Sequence, residues 1–107
     1  MKESQNVKVV VLVPETHSDA VRKAVGDADA GKLGNYSHCS FSSKGQGRFL
    51  PLDGAAPSTG EVGTAELVDE ERIEFACDKA ILAEVVITMK RAHPYEEVAY
   101  DIYQLLD

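Results

Sequence analysis

Two short stretches hold the side chains with chemistry in them. The first runs from Leu33 to Phe49, LGNYSHCSFSSKGQGRF, and sets His38 directly beside Cys39. Imidazole and thiolate are ligands for zinc or copper, and a histidine can activate a neighbouring nucleophile. Adjacent residues on a strand leave on opposite faces, however, so the pair cannot close on one ion. A structural zinc site needs about four ligands at recognisable spacings, and the chain has no CxxC or HxxxH. Ser37 and Ser40 stand near His38, but no acidic orienter is evident for a triad. Cys39 and Phe41 therefore read as core residues, and Tyr36 and His38 as residues of the opposite, polar side.

The second stretch is AHPYEEVAYD, residues 92–101. His93 falls at the expected end of a helix, where the dipole favours an imidazolium and a capping role. Tyr95 is placed to pack against the end of the sheet. Glu96 and Glu97 follow at once, and a histidine with two carboxylates can hold a divalent ion or exchange protons. A capped helix end leading into a strand accounts for the same residues. Two glycine-rich tracts complete the inventory. Gly45-Gln46-Gly47 lacks the phosphate-loop patterns and reads as a hairpin turn. In Gly60-Glu61-Val62-Gly63, Glu61 faces a ligand or a neighbouring subunit, or else simply belongs to a flexible loop.

The elements that must position these residues follow from periodicity. Val7 to Val13 is apolar on both parities, as a central strand buried on both faces would be, and Pro14 ends it. Thr16 or Ser18 offers an N-cap for a helix carrying Val21, Ala24, Val25 and Ala28, which Gly31 and Gly34 close. Tyr36 to Ser43 alternates as a strand, a turn at Lys44–Gly47 follows, and RFLPL returns. After a glycine- and proline-rich loop, Glu71 to Cys77 puts Ile73, Phe75 and Cys77 inward and Arg72 and Glu74 outward. Asp78 caps a helix striped with Ile81, Leu82, Val85, Val86 and Met89, Pro94 stops it, and Val98 to Leu105 is the last strand. The order predicts a single α+β domain over residues 1–107. It is a ferredoxin-like βαββαβ sandwich whose two helices cover one sheet face, with an insertion at 44–70 between the second and third core strands. The open face carries Tyr36, His38, Ser40, Arg72 and Glu74.

Composition narrows the partners. Eleven Lys+Arg against eighteen Asp+Glu give a net charge of −7, which repels phosphate backbones and excludes nucleic acid on electrostatic grounds. Two cysteines do not make a secreted disulfide framework. The apolar N-terminal run is too short for a signal core or a membrane span, so the expected compartment is the cytoplasm.

The blocks GNYSHCSFSSKGQGRFLPLDGAAPSTGEVGTAE and AHPYEEVAYDIYQL closely resemble the inserted domain of the Nif-three-like (YqfO) family, whose members are hexamers with a dinuclear metal centre. That domain is similar in fold to the CutA and PII signalling proteins, which are trimers. The segments carrying the family's metal ligands flank the insert and are absent from this sequence, so a di-metal hydrolase is not implied. The resemblance implies instead a homo-oligomeric, trimeric binding or regulatory module with clefts between subunits. Tyr36, His38, Glu61 and Tyr95 are the expected ligand-binding groups. His38, His93, Glu96 and Glu97 are the expected ligands should the cofactor be a divalent metal ion. A metal-dependent enzyme and a purely structural oligomerisation domain are the competing readings.

Overall fold

Every one of the 107 residues is described by the computed structural model. The chain runs β1 (Glu3–Pro14), α1 (Ser18–Asp27), β2 (Phe41–Phe49), β3 (Glu66–Asp78), α2 (Leu82–Ala92) and β4 (Tyr100–Leu106). The sheet order is β2-β3-β1-β4, with every neighbouring pair antiparallel. This is the expected ferredoxin-like α+β sandwich. No helix is long and apolar enough to cross a membrane.

The valine run explains the centre. Val7, Val9, Val11 and Val13 point to the helices and pack with Ile73, Phe75 and Cys77 of β3, Val21 and Val25 of α1, and Val85 and Met89 of α2. Val10, on the other parity, is still only 4% exposed because β1 has a strand on each side. Asp78 does cap the entry to α2, accepting from Ala80 N–H at 2.8 Å. The entry to α1 differs from expectation. A 3-10 turn over Glu15–His17 leads in, neither Thr16 nor Ser18 caps it, and Ser18 is buried with its hydroxyl unpartnered.

The second strand begins later and runs further than its alternation predicted. Leu33 and Tyr36 close a two-residue turn through reciprocal backbone hydrogen bonds of 3.0 Å, with Gly34 at φ 56° in its first central position. Residues 37–40 are irregular, and β2 starts at Phe41. It then passes straight through Lys44–Gly47, pairing residue by residue with β3 from Phe41↔Glu74 to Phe49↔Glu66. The turn expected at Gly45-Gln46-Gly47 is therefore ladder. The physical reason lies in the partner: residues 66–70 extend β3 and offer a backbone long enough to satisfy β2 over its whole length. The true connection is the loop 50–65.

Two face assignments change with this register. Phe41 shares its side of the sheet with Glu74, Val10 and Asp101, so it lies on the open face, 67% exposed, rather than in the core. Tyr36 and His38 leave the sheet altogether. Arg72 and Glu74 do lie on the open face, joined by a 3.0 Å ion pair, in the company of Leu12, Phe41 and Tyr103.

Candidate functional site

The three histidines go to three different places. His38 sits in the crossing from α1 to β2 at φ 58°. Its ring lies over Gly26, where a Cβ would come within 2.0 Å of the ring Cδ2. Nε2 meets Asp27 Oδ1 at 2.9 Å and Nδ1 meets Ser37 Oγ at 2.9 Å. The acidic orienter that the sequence did not reveal is thus Asp27, eleven residues upstream. Its carboxyl is held below the usual aspartate range by Lys23 first and His38 second. All three side chains are exposed, and this surface array pins the crossing to the end of α1.

His93 is the C-cap of α2, as expected, but it is buried and neutral. Its Nε2–H donates to the Leu12 carbonyl at 2.7 Å, and Nδ1 accepts from Tyr95 N–H at 3.1 Å. Burial pushes the imidazole below the ordinary histidine range, which outweighs the Leu12 hydrogen bond. With both nitrogens engaged, His93 has no lone pair for a metal. His38 is tied to α1, and no three His, Cys, Asp or Glu groups converge on a point. The expected set of His38, His93, Glu96 and Glu97 does not fit a metal within one chain, and the reason is specific: the fold uses the two imidazoles as struts.

What the fold does build is a cleft of about 450 Å³ between the loop 50–65 and the turn from α2 to β4. One wall is apolar, made by Leu50, Pro51, Leu52 and Pro57; the other carries Tyr95, Glu96 and Glu97. Glu96 Oε1 accepts from Ala56 N–H at 2.9 Å and so ties the walls together. The Tyr95 ring stands edge-on to Phe49, centroids 5.8 Å apart. Glu70 of β3 lines the cleft at 8% exposure. Burial pushes its carboxyl above the ordinary range, partly offset by the neighbouring Tyr95 hydroxyl. The Tyr95 phenol is raised in turn, by burial first and by the Glu70 charge second. The two groups perturb one another, and Tyr95 Oη is buried without a hydrogen-bond partner.

Among the expected ligand residues, Tyr95, Glu96 and Glu97 are brought together. Tyr36 is exposed on its turn, and Glu61 lies in the loop 50–65 outside the cleft lining. Glu70, Arg48 and Phe49 were missed. Glu70 lay in the acidic run Asp69-Glu70-Glu71, which reads as a turn until the β2 register is known; Gly45 pairs with Glu70 across the ladder, and Gly47, two residues on, leaves the space its carboxylate fills.

The sheet order, the helices on one face and the cleft at one sheet end define a CutA/PII-like α+β module. CutA from Archaeoglobus fulgidus is similar in structure, with a TM-score of 0.69 at 13% identity over 95% of this chain and 85% of that chain, a likeness of fold alone. No family model matches the chain. Its sequence relationship is more particular. The GTP cyclohydrolase 1 type 2 homolog of Bacillus subtilis is 54% identical over 96 residues, which cover 90% of this chain and 26% of the relative. A Bacillus cereus protein related to NIF3 is similar in structure, with a TM-score of 0.84 at 48% identity, over 100% of this chain and 27% of that one. Over nearly its whole length the chain is therefore homologous to a segment of the NIF3-related proteins, as the two motif blocks implied, and it spans about a quarter of the length of the curated relatives it matches.

Proposed function

We propose that this chain is a homo-oligomeric module, a trimer, that binds a small ligand in the cleft between the loop 50–65 and the turn at 93–99. The cleft carries the reading: its walls come from the two motif blocks, it is apolar, and it surrounds a few polar groups, which is the ordinary make-up of a small-molecule site. The open sheet face supports the oligomer. Leu12, Phe41 and Tyr103 are exposed there beside an ion pair, a mixture suited to a second copy. Two measurements test the two halves. Light scattering at micromolar concentration should give three times the 11.6 kDa chain mass. A mixed fragment set of acids, bases and neutral aromatics should shift amide resonances at Phe49, Ala56 and Tyr95. A monomer would remove the first half, and no shift from any fragment class would remove the second.

A metal-dependent hydrolase is the second reading: the name of the Bacillus subtilis relative favours the hydrolase, and the family resemblance of the two motif blocks suggests the metal. It requires ligands beyond those one chain gathers. Elemental analysis of protein purified without a nickel column, followed by addition of zinc, copper or nickel, tests it: absence of stoichiometric metal in both removes it.

A further inference from the structure

We propose that the cleft binds an organic ammonium ion on an apolar body, with Glu70 as its counter-ion and the Tyr95 hydroxyl as a second acceptor. The inference rests on the small-ligand reading above and gives that ligand a chemical class.

Glu70 is a buried carboxylate that no cation neutralises: no ion pair in the molecule includes it. The nearby guanidinium groups are committed elsewhere. Arg22 is held by Asp19 and Glu71 at 2.7 and 3.0 Å, and Arg72 by Glu74 at 3.0 Å. Arg48 lines the cleft but lies outside ion-pair distance of Glu70. A largely buried acid without a cation is costly to ionise, and a cation bound in the cleft would offset that cost. The backbone also makes room for it. A Cβ on Gly47 would stand 1.9 Å from Glu70 Oε1, so the carboxylate occupies the space that a side chain would take.

The rest of the cleft selects among ligands. Tyr95 Oη is buried and unpartnered, and it can accept an N–H. Phe49 and Tyr95 present rings that attract a cation. Glu96 and Glu97 add negative charge against the single Arg48, which opposes a phosphate or carboxylate ligand. A divalent metal wants several ligands converging on a point, and none do. An ammonium needs one counter-ion, one or two acceptors and an apolar wall, and these are present.

Titration of the full chain with 2-phenylethylammonium and, separately, with 3-phenylpropanoate, followed by amide shifts at Phe49, Ala56 and Tyr95, tests the proposal. The ammonium should saturate those shifts and the carboxylate should not. Glu70→Gln, which keeps the shape and removes the charge, should weaken the ammonium at least tenfold, about what losing one charge-assisted contact costs. Gly47→Ala, which displaces the carboxylate from the opposite side, should weaken it likewise; dispersed amide spectra verify that both variants are folded. Equal or tighter binding of the carboxylate, or an unchanged ammonium affinity in Glu70→Gln, overturns the assignment while leaving a small-ligand cleft in place. Silence from both probes overturns it too, and the mixed fragment set then decides separately whether the cleft binds anything.

Discussion

His93 and Glu70 flank the same tyrosine, and both resist ionisation, with opposite consequences for pH. His93 has a folded-state pKa below its unfolded value, so the unfolded chain takes up the proton first. Its contribution is whole above about pH 6.5 and is lost as acid carries the solution down towards the folded pKa. Glu70 has a folded-state pKa above its unfolded value, so its neutral form contributes below about pH 4.5 and that contribution is lost as pH rises through the folded pKa. Glu70→Gln should therefore raise the unfolding midpoint by a few degrees at about pH 7, and the gain should vanish near pH 4. Thermal melts of both proteins across that range check it; identical curves throughout would mean that Glu70 is solvated. His93→Ala removes a buried ring with both nitrogens bonded, and it should cost about 3 kcal/mol in urea unfolding. A cost under about 1 kcal/mol, ordinary for a surface site, would contradict the strut role.

Helix α1 shows how an element can obey its own propensity only when its neighbours allow. Ala is better than Gly inside a helix by about 1 kcal/mol, and Gly26 lies within α1. The His38 ring occupies the space above it, so Gly26→Ala must swing that ring out and break its 2.9 Å contact with Asp27. Gly26→Ala should destabilise the protein by about 1 kcal/mol, and the same change in a His38→Ala background should stabilise it by a similar amount. Additive effects in the double-mutant cycle would show that the ring moves without cost. The same contact explains why the opening stretch misled. Alternation from Tyr36 to Ser43 looks like a strand, but a strand needs a ladder partner. Beyond Glu74 the β3 edge is met by Gly31, whose N–H donates to the Ala76 carbonyl at 2.7 Å, while Cys39 N–H donates to the Gly31 carbonyl at 2.8 Å. Periodicity found β1, the two helices, and the inward parity of Ile73, Phe75 and Cys77, because each buries an apolar set on one face. It could not find Gly45 and Gly47 inside a ladder, because only register separates a strand glycine from a turn glycine.

At the scale of the whole molecule, the fold was legible from the order of elements, while half of the cleft was hidden by sequence distance. Tyr95, Glu96 and Glu97 are contiguous and could be read together; Glu70 and Phe49 join them only through the β2–β3 register. The open sheet face is the remaining feature that belongs to no single element. It draws Leu12 from β1, Phe41 from β2 and Tyr103 from β4, all exposed, around the Arg72–Glu74 pair. A monomer leaves this surface in water, whereas a threefold assembly through it would bury those rings while the charged pair sets the register. Phe41→Asp tests the arrangement at its most exposed ring. Aspartate there would stand directly across the ladder from Glu74, adding like-charge repulsion to the lost apolar contact. Because Phe41 is 67% exposed, the folded chain itself should lose less than about 1 kcal/mol. The expected outcome is a trimer for the wild type and a folded monomer for Phe41→Asp at the same micromolar concentration, with Tyr103→Asp behaving alike. A trimer that survives both substitutions would move the interface off this face, and helix-side contacts would then have to supply it.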